Sequence, residues 1–195
     1  MKDIVYILVS IIPCILLVSL ILYIIVIKKM SNPHIITTDK PLKLVGVSIK
    51  SSDANIVKDD ALLWKEFKRI CVKNNLPEPH TTMVVRLHTK KGEELYEYFI
   101  GMLGDSNNVP DGFKFLEIPA QRYVTSTHRF QKVVSWLKLA TKVKFYIYYK
   151  WLPNSKYELN RDQAVKAIEV YHVSKNSRNR SPQIFVAVKK AVDQE

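Results

Sequence analysis

The feature that most constrains this chain is an apolar segment at residues 4–27, in which only Ser10, Pro13 and Ser19 are not apolar. As a helix rising about 1.5 Å per residue, the segment would be roughly 36 Å long and could cross a hydrocarbon core of about 30 Å. We therefore predict that residues 1–30 are a membrane anchor whose transmembrane helix covers residues 4–27.

A cleaved signal peptide is the alternative reading of this segment. Its apolar run is longer than the roughly 7–15 residues of a signal sequence, and Lys28, Lys29 and Met30 stand where a cleavage site would need small residues. Lysines are more frequent after the segment than before it. The positive-inside rule therefore predicts a single-pass protein whose soluble domain faces the cytoplasm.

The chain has a formal net charge of +12, and its basic residues are dispersed. The one dense cluster is Lys175, Arg178 and Arg180. This distribution indicates a solvated cationic surface, attracted to an anionic membrane leaflet, rather than a specific nucleic-acid site.

The sequence also lacks the usual signatures of metal and cofactor sites. Cys14 lies in the apolar segment and Cys71 on an apolar helical face, so we expect no disulfide between them. The five histidines show no paired spacing, and no standard nucleotide-binding or nucleophile motif occurs. We expect neither a metal nor a cofactor.

Beyond a polar connector at residues 31–41, the rest of the chain, residues 42–195, reads as one domain. Periodicity and turn residues predict strands at 44–49, 82–88 and 95–103, with a helix at 60–75 after the first strand. The same order recurs as strands at 112–118 and 122–128, a helix from about residue 131, and strands at 167–173 and 183–189. Residues 143–149 could form a strand by propensity, but their helical spacing and the lack of a preceding turn favour a helix.

The fold class that follows is α+β. Two strand-helix-strand-strand repeats, at about residues 42–104 and 110–190, would be related by pseudo-two-fold symmetry. Together they would form one antiparallel sheet backed by helices, in addition to the transmembrane helix.

Four segments of the second repeat carry a family resemblance. They are VPDGFKFLEIPAQRYVTSTH at 109–128, KWLPNSKYEL at 150–159, AIEVYHV at 167–173 and QIFVAVKK at 183–190. Together they resemble the GyrI-like (DNA-gyrase-inhibitor-like) small-molecule-binding family, which includes the effector-binding domains of AraC-type and MerR-type regulators. The sequence departs from that family where Gln121 and Lys156 replace glycines of turns.

The resemblance implies a cleft between the repeats that is lined by aromatic residues and holds an acidic residue for cationic, lipophilic ligands. Matched to the family motif, the acidic residue is Glu169 and its aromatic neighbour is Tyr171. The other candidate walls of the ligand-binding site are Tyr96, Tyr98, Tyr123, Tyr148 and Trp151.

The alternation of the strand agrees with this in part, because Glu169 and Tyr171 share one face and Ile168 lies on the other. If the Ile168 face packs on the helices, Glu169 points into the concave side. Desolvation there would raise its pKa, and tyrosine faces would add cation-π attraction. The simpler alternative is that Glu169 is an exposed strand carboxylate.

Three functions follow from these observations. The favoured one is a membrane-anchored protein that senses or sequesters an amphipathic or cationic small molecule, without catalysis. A detoxifying hydrolase would use Glu169 and Tyr171 as its catalytic pair. A membrane-anchored interaction scaffold, similar to an endoplasmic-reticulum autophagy receptor, is the third, although this chain lacks that receptor's long C-terminal tail.

Overall fold

The computed structural model describes residues 31–88, 94–127, 136–172 and 182–191, together with Leu17. Within this part of the chain no helix is both long enough and apolar enough to cross a bilayer. The predicted transmembrane segment, residues 4–27, lies outside the described residues except for Leu17, and the basic cluster of residues 175–180 lies outside them as well.

Most of the described chain is antiparallel β-sheet. The strands are β1 (His34–Thr37), β2 (Leu42–Ser52), β3 (Thr81–Leu87), β4 (Leu95–Leu103), β5 (Lys114–Ile118), β6 (Arg122–Thr127), β7 (Tyr157–Leu159), β8 (Val165–His172) and β9 (Pro182–Lys190). Two α-helices accompany them, α1 (Ile56–Lys73) and α2 (Trp136–Tyr146), and α2 continues into a π-helical turn (Ile147–Trp151) and a 3-10 turn (Leu152–Asn154). The fold is therefore α+β, as the sequence predicts.

The order of the strands reflects the internal repetition of the sequence. Across the sheet they run β1-β6-β9-β8-β3-β4-β2-β5, with β7 paired to β9 outside this path. The unit β2-α1-β3-β4 and the unit β6-α2-β8-β9 meet where β3 pairs with β8. Equivalent strands of the two units thus occupy equivalent places on either side of that central pair, which is the arrangement expected of two repeats.

Helix α1 packs its apolar face on the first half of the sheet. Its buried residues Leu63, Phe67 and Ile70 recur at helical spacing and contact a cluster that includes Val47 and Ile100. The helix begins at Ile56, four residues before the predicted start. Asp60 consequently lies on the buried face of the helix, although the sequence pattern placed it in the first turn.

Helix α2 packs on the second half of the sheet. Ala140, Val143 and Ile147 contact a cluster that includes Ile184 and Val186 of β9. The doubtful segment at residues 143–149 is therefore helical, because its apolar residues at helical spacing face the sheet. The predicted beginning of this helix, residues 131–135, lies outside the described residues.

The structure adds two details to the sequence reading. The connector at residues 31–41 contains β1, which pairs with β6 at the edge of the sheet. Gln121 and Lys156, which replace turn glycines of the resembled family, do not need a left-handed backbone, since Asn75 is the one non-glycine residue with positive φ in the described chain. Gln121 instead lies buried and donates a hydrogen bond to the hydroxyl of Tyr123.

Strands β2 and β4 approach each other closely where Gly46 is paired with Gly101. A Cβ at Gly46 would overlap the carbonyl oxygen of Ile100 and come within 2.5 Å of the Cα of Gly101. Both obstacles are backbone atoms of a central strand, so the sheet would have to shift to accommodate a side chain.

We expect Gly46→Ala to lower the free energy of unfolding by about 1–3 kcal/mol, the usual cost of overpacking a core. Urea denaturation followed by circular dichroism would measure it. The control is Lys50→Ala at an exposed position of the same strand. Equal stability of the two variants would contradict the proposed steric role of Gly46.

Candidate functional site

Glu169 lies at the centre of the sheet, on the face that carries both helices. On β8 it is directly opposite Val84 of β3 and Ile184 of β9. Val84 belongs to the cluster under α1 and Ile184 to the cluster under α2. The condition that the Ile168 face packs on the helices is not met, because Ile168 is buried in a separate cluster on the opposite face.

The charge of Glu169 is neutralised within the protein. The ammonium of Lys144, on α2, donates to its Oε1 at 2.5 Å, and the hydroxyl of Tyr171 donates to its Oε2. The side chains of Lys144 and Glu169 are only 17% and 5% exposed. Glu169 is therefore a buried member of an ion pair and not an exposed strand carboxylate.

The ion pair determines the protonation state of Glu169. Burial acts to raise the pKa of this carboxyl, but the charge and hydrogen bond of Lys144, the hydroxyl of Tyr171 and the charge of Arg86 outweigh it, so that its pKa lies below the ordinary 4.5. The expectation of a raised pKa is thus wrong, because it left out Lys144. The stability that this carboxylate contributes is present above pH 4.5 and is lost as the pH falls through its lower pKa in the folded state.

A second buried carboxylate, Asp60, lies on α1. It accepts a hydrogen bond from the hydroxyl of Tyr98 at 2.7 Å. Burial raises its pKa above the ordinary 3.8, and repulsion by Glu169 adds to this, although the hydrogen bond from Tyr98 opposes both. The two carboxylates are therefore close enough to interact but differ in their surroundings.

Arg86 of β3 supplies the second cation of this face. Its guanidinium bonds to Asp53 at 3.1 Å and lies 5.3 Å from the centre of the Tyr96 ring. Its charge acts to lower the pKa values of both Asp60 and Glu169. This face thus holds two buried carboxylates, Asp60 and Glu169, and two cations, of which Lys144 is bonded to Glu169 and Arg86 to Asp53.

An open cleft adjoins this charged group beside α1. Its volume is about 550 Å³, within the range of about 300–1,000 Å³ typical of small-molecule sites. It is lined by Asp60, Ala61, Trp64, Phe67, Lys68, Cys71, Val72, Leu76, Glu78, Pro79, Thr82, Tyr171 and His172. Tyr171 and His172 come from the second repeat and the other lining residues from the first.

The aromatic residues of the cleft pack edge to face. The ring of Trp64 lies 6.2 Å from the ring of Phe67 and 6.2 Å from that of Tyr171, both at steep angles. Because Tyr171 also donates its hydroxyl to Glu169, it connects the cleft to the buried ion pair.

The structure brings together only some of the residues predicted from the sequence. Tyr171 bonds to Glu169, Tyr98 bonds to Asp60, and Tyr148 is near enough to Glu169 for that charge to act on its pKa, which burial raises. Tyr96 lies further along the same face, with its ring 6.5 Å from that of Tyr98.

Two of the predicted residues lie elsewhere. Tyr123 is buried on the opposite face of the sheet, next to Phe185. Trp151 stacks on Tyr157 at the edge of the cluster under α2. The ligand contacts predicted for the whole set stay predictions.

Sequence reasoning missed three polar residues of this face: Asp60, Arg86 and Lys144. The sequence contained a signal for the burial of Asp60. This residue lies three positions before Leu63 and therefore falls on the apolar stripe of α1. Lys144 likewise falls on the apolar stripe of α2, four residues after Ala140 and three before Ile147.

The protonation states also bear on the catalytic alternative. Burial and the charge of Glu169 raise the pKa of Tyr171, while that of Glu169 is lowered. A phenol that holds its proton and a carboxylate that stays ionised are poorly matched to proton transfer near neutral pH. Across the described ranges, no three histidine, cysteine, aspartate or glutamate residues form a group that could hold a metal ion.

Comparison with known proteins supports the family resemblance. Residues 35–188 match the family Cass2, described as integron-associated effector binding protein. No curated protein matches the sequence.

Solved structures show the same fold at low sequence identity. An integron cassette protein from the mobile metagenome of Vibrio cholerae has a TM-score of 0.59 and 11% identity, over 82% of this chain and 97% of its own. The protein SAV2435, bound to tetraphenylphosphonium, has a TM-score of 0.61 and 13% identity, over 82% and 94%. The C-terminal domain of EcmrR has a TM-score of 0.53 and 16% identity, over 82% and 98%.

We expect Lys144→Met and Glu169→Gln to be strongly destabilising when made singly. Removing one member of a buried ion pair costs about 3–5 kcal/mol, because the other charge is left without its partner. The double variant should recover most of the loss, and chemical denaturation would measure all three.

The matched control for this cycle is Lys189→Met, because Lys189 forms an exposed ion pair with Asp162 at 3.2 Å. Exposed pairs are screened by water, so this change should have little effect on stability. Additive losses in the Lys144 and Glu169 double variant would contradict a coupled buried pair.

We expect Asp60→Asn to make the protein more stable near neutral pH. Since the folded pKa of Asp60 is raised, its ionisation destabilises the folded state as the pH rises from 3.8 through that higher pKa. Asparagine keeps an oxygen for the Tyr98 hydroxyl and does not ionise. The stability difference between variant and wild type should therefore grow across this window and then level off.

Denaturation curves of both proteins at a series of pH values would measure this difference. Glu117→Gln, at an exposed position of β5, is the control for loss of a carboxylate. A difference that does not depend on pH would contradict a raised pKa at Asp60.

Proposed function

Because the chain belongs to the family of integron-associated effector binding proteins, we propose that it binds a small amphipathic cation in the cleft beside α1. We further propose that residues 4–27 anchor it in a membrane as a single span and that the binding domain faces the cytoplasm. The protein would sense or sequester its ligand and would not convert it.

The observation that carries this proposal is the cleft itself. Its volume of about 550 Å³ suits a drug-sized molecule, and its walls are mainly aromatic and aliphatic. The rings of Trp64, Phe67 and Tyr171 could contact a flat or aryl-substituted ligand. Aromatic faces also attract cations, by about 0.5–2 kcal/mol each.

The charges of the cleft favour a cation as well. Asp60 and Glu78 line it together with a single lysine, Lys68, although the chain as a whole carries a net charge of +12. A cleft that holds two carboxylates and one lysine attracts a cation, whereas the positively charged surface of the chain repels one. The similar structure of SAV2435 with tetraphenylphosphonium is consistent with this ligand class.

The membrane part of the proposal is supported by the sequence alone. Residues 4–27 have the length and composition of a spanning helix. Lys28 and Lys29 follow the segment directly and favour a cytoplasmic domain. An amphipathic ligand would concentrate in the same membrane, so that anchoring would bring the cleft to its ligand.

We expect the full chain in lipid nanodiscs to bind tetraphenylphosphonium more tightly than tetraphenylborate, an anion of the same shape. Equilibrium dialysis against empty nanodiscs would measure binding above lipid partitioning. Ala61→Trp, which places a large ring at the cleft, should weaken binding at least fivefold.

The matched control is Ala120→Trp, at an exposed position outside the cleft. It should bind like wild type. The proposed function would be contradicted if the wild-type chain in nanodiscs bound no more tetraphenylphosphonium than empty nanodiscs do. Equal binding by both tryptophan variants would contradict it as well.

A further inference from the structure

The two carboxylates of the buried face differ in whether a cation already neutralises them. Glu169 is bonded to Lys144 at 2.5 Å, while the nearby Arg86 is bonded to Asp53 at 3.1 Å. Within the ranges that the structure describes, Asp60 forms no ion pair and accepts a hydrogen bond from the neutral hydroxyl of Tyr98. Asp60 is thus the carboxylate of this face whose charge is not directly compensated.

The two carboxylates also differ in their access to the cleft. Asp60 is one of the residues that line it, whereas Glu169 is not. Tyr171 lines the cleft and donates its hydroxyl to Glu169, and therefore it shares in covering that carboxylate. Asp60 therefore contributes to the wall that a molecule in the cleft would contact, whereas Glu169 does not.

A cation that bound Glu169 directly would have to displace Lys144. The displaced ammonium would come from a position only 17% exposed and would lose its counter-charge. A cation at Asp60 displaces no ion pair, and it supplies the opposite charge that this buried carboxylate lacks. Binding at Asp60 is therefore the less costly of the two arrangements.

We propose that Asp60 is the residue that pairs with a bound cation in the cleft, and that the Lys144–Glu169 pair only positions Tyr171 as part of the cleft wall. This inference rests on the proposed function and deepens it. The ligand class it favours is a bulky lipophilic cation with delocalised charge, because the rings of Trp64, Phe67 and Tyr171 line the same cleft and Asp60 already has hydrogen-bond partners in Tyr98 and Trp64.

The test compares variants of the full chain in lipid nanodiscs, with tetraphenylphosphonium as the probe and equilibrium dialysis as the measurement. Asp60→Asn should weaken binding at least tenfold. Glu117→Gln, which removes an exposed carboxylate outside the cleft, should bind like wild type, and the double variant Lys144→Met with Glu169→Gln should lose less affinity than Asp60→Asn does. Every sample contains the same lipid, so partitioning cancels in the comparison.

Tetraphenylborate serves as the second probe and shows whether the cleft of Asp60→Asn is intact. We expect this variant to bind the anion at least as well as wild type does. Loss of both probes, or unchanged binding of tetraphenylphosphonium, would overturn the assignment of Asp60. A tenfold loss in the double variant with little change in Asp60→Asn would place the ligand at Glu169 instead.

The same experiment separates this inference from the function it rests on. If wild type itself binds no tetraphenylphosphonium above empty nanodiscs, the proposed function fails. If wild type binds and Asp60→Asn binds equally well, the function stands and the inference about Asp60 is wrong.

Discussion

The ion pair between Lys144 and Glu169 is the interaction on which the arrangement of the candidate site depends. It joins α2 to the central strand β8 and keeps a carboxylate ionised in the buried layer between the sheet and the helices. The ionised carboxylate in turn accepts the hydroxyl of Tyr171, and the Tyr171 ring packs against Trp64 at the cleft. The charge of Glu169, on the second repeat, thereby influences the shape of a cleft formed mainly by residues of the first repeat.

Duplication explains why a buried charge occurs at this place. The two units meet through β3 and β8, and each unit covers its own half of the sheet with one helix. The line between the helices is the part of this face that neither apolar cluster covers completely. Polar side chains can be buried there if they form hydrogen bonds or ion pairs. Glu169 is bonded to Lys144, Asp60 to Tyr98, and Arg86 to Asp53.

Much of this fold could be predicted from the sequence, because strand alternation and helical spacing are local properties. Glu169 and Tyr171 were found through a family resemblance carried by short motifs around them. Lys144 could not be found in this way, since it precedes Glu169 by 25 residues and sits in a segment whose aromatic residues suit either a strand or a helix. Asp60 was misjudged because the helix begins one turn earlier than its spacing suggested.

The sequence also left open which face of β8 the helices cover, for a physical reason. Ile168 and Val170 are buried in a cluster without any described helix, and Glu169 and Tyr171 are buried as well. When both faces of a strand are buried, the alternation of apolar residues does not reveal which face the helices cover. The packing of Val84 and Ile184, the neighbours of Glu169, under α1 and α2 is what assigns the Glu169 face to the helices.

If residues 4–27 span a membrane as proposed, the pairing of β1 with β6 shortens the tether between membrane and cleft. Ser31 already bonds to Ser126 and Thr127 of β6, so the folded domain includes most of what reads as a connector in the sequence. With residues 4–27 as the proposed span, only residues 28–30 remain as a spacer, which can extend by at most about 3.6 Å each. The domain would then lie against the lipid headgroups with little freedom to turn, and the membrane would limit the directions from which a ligand can approach.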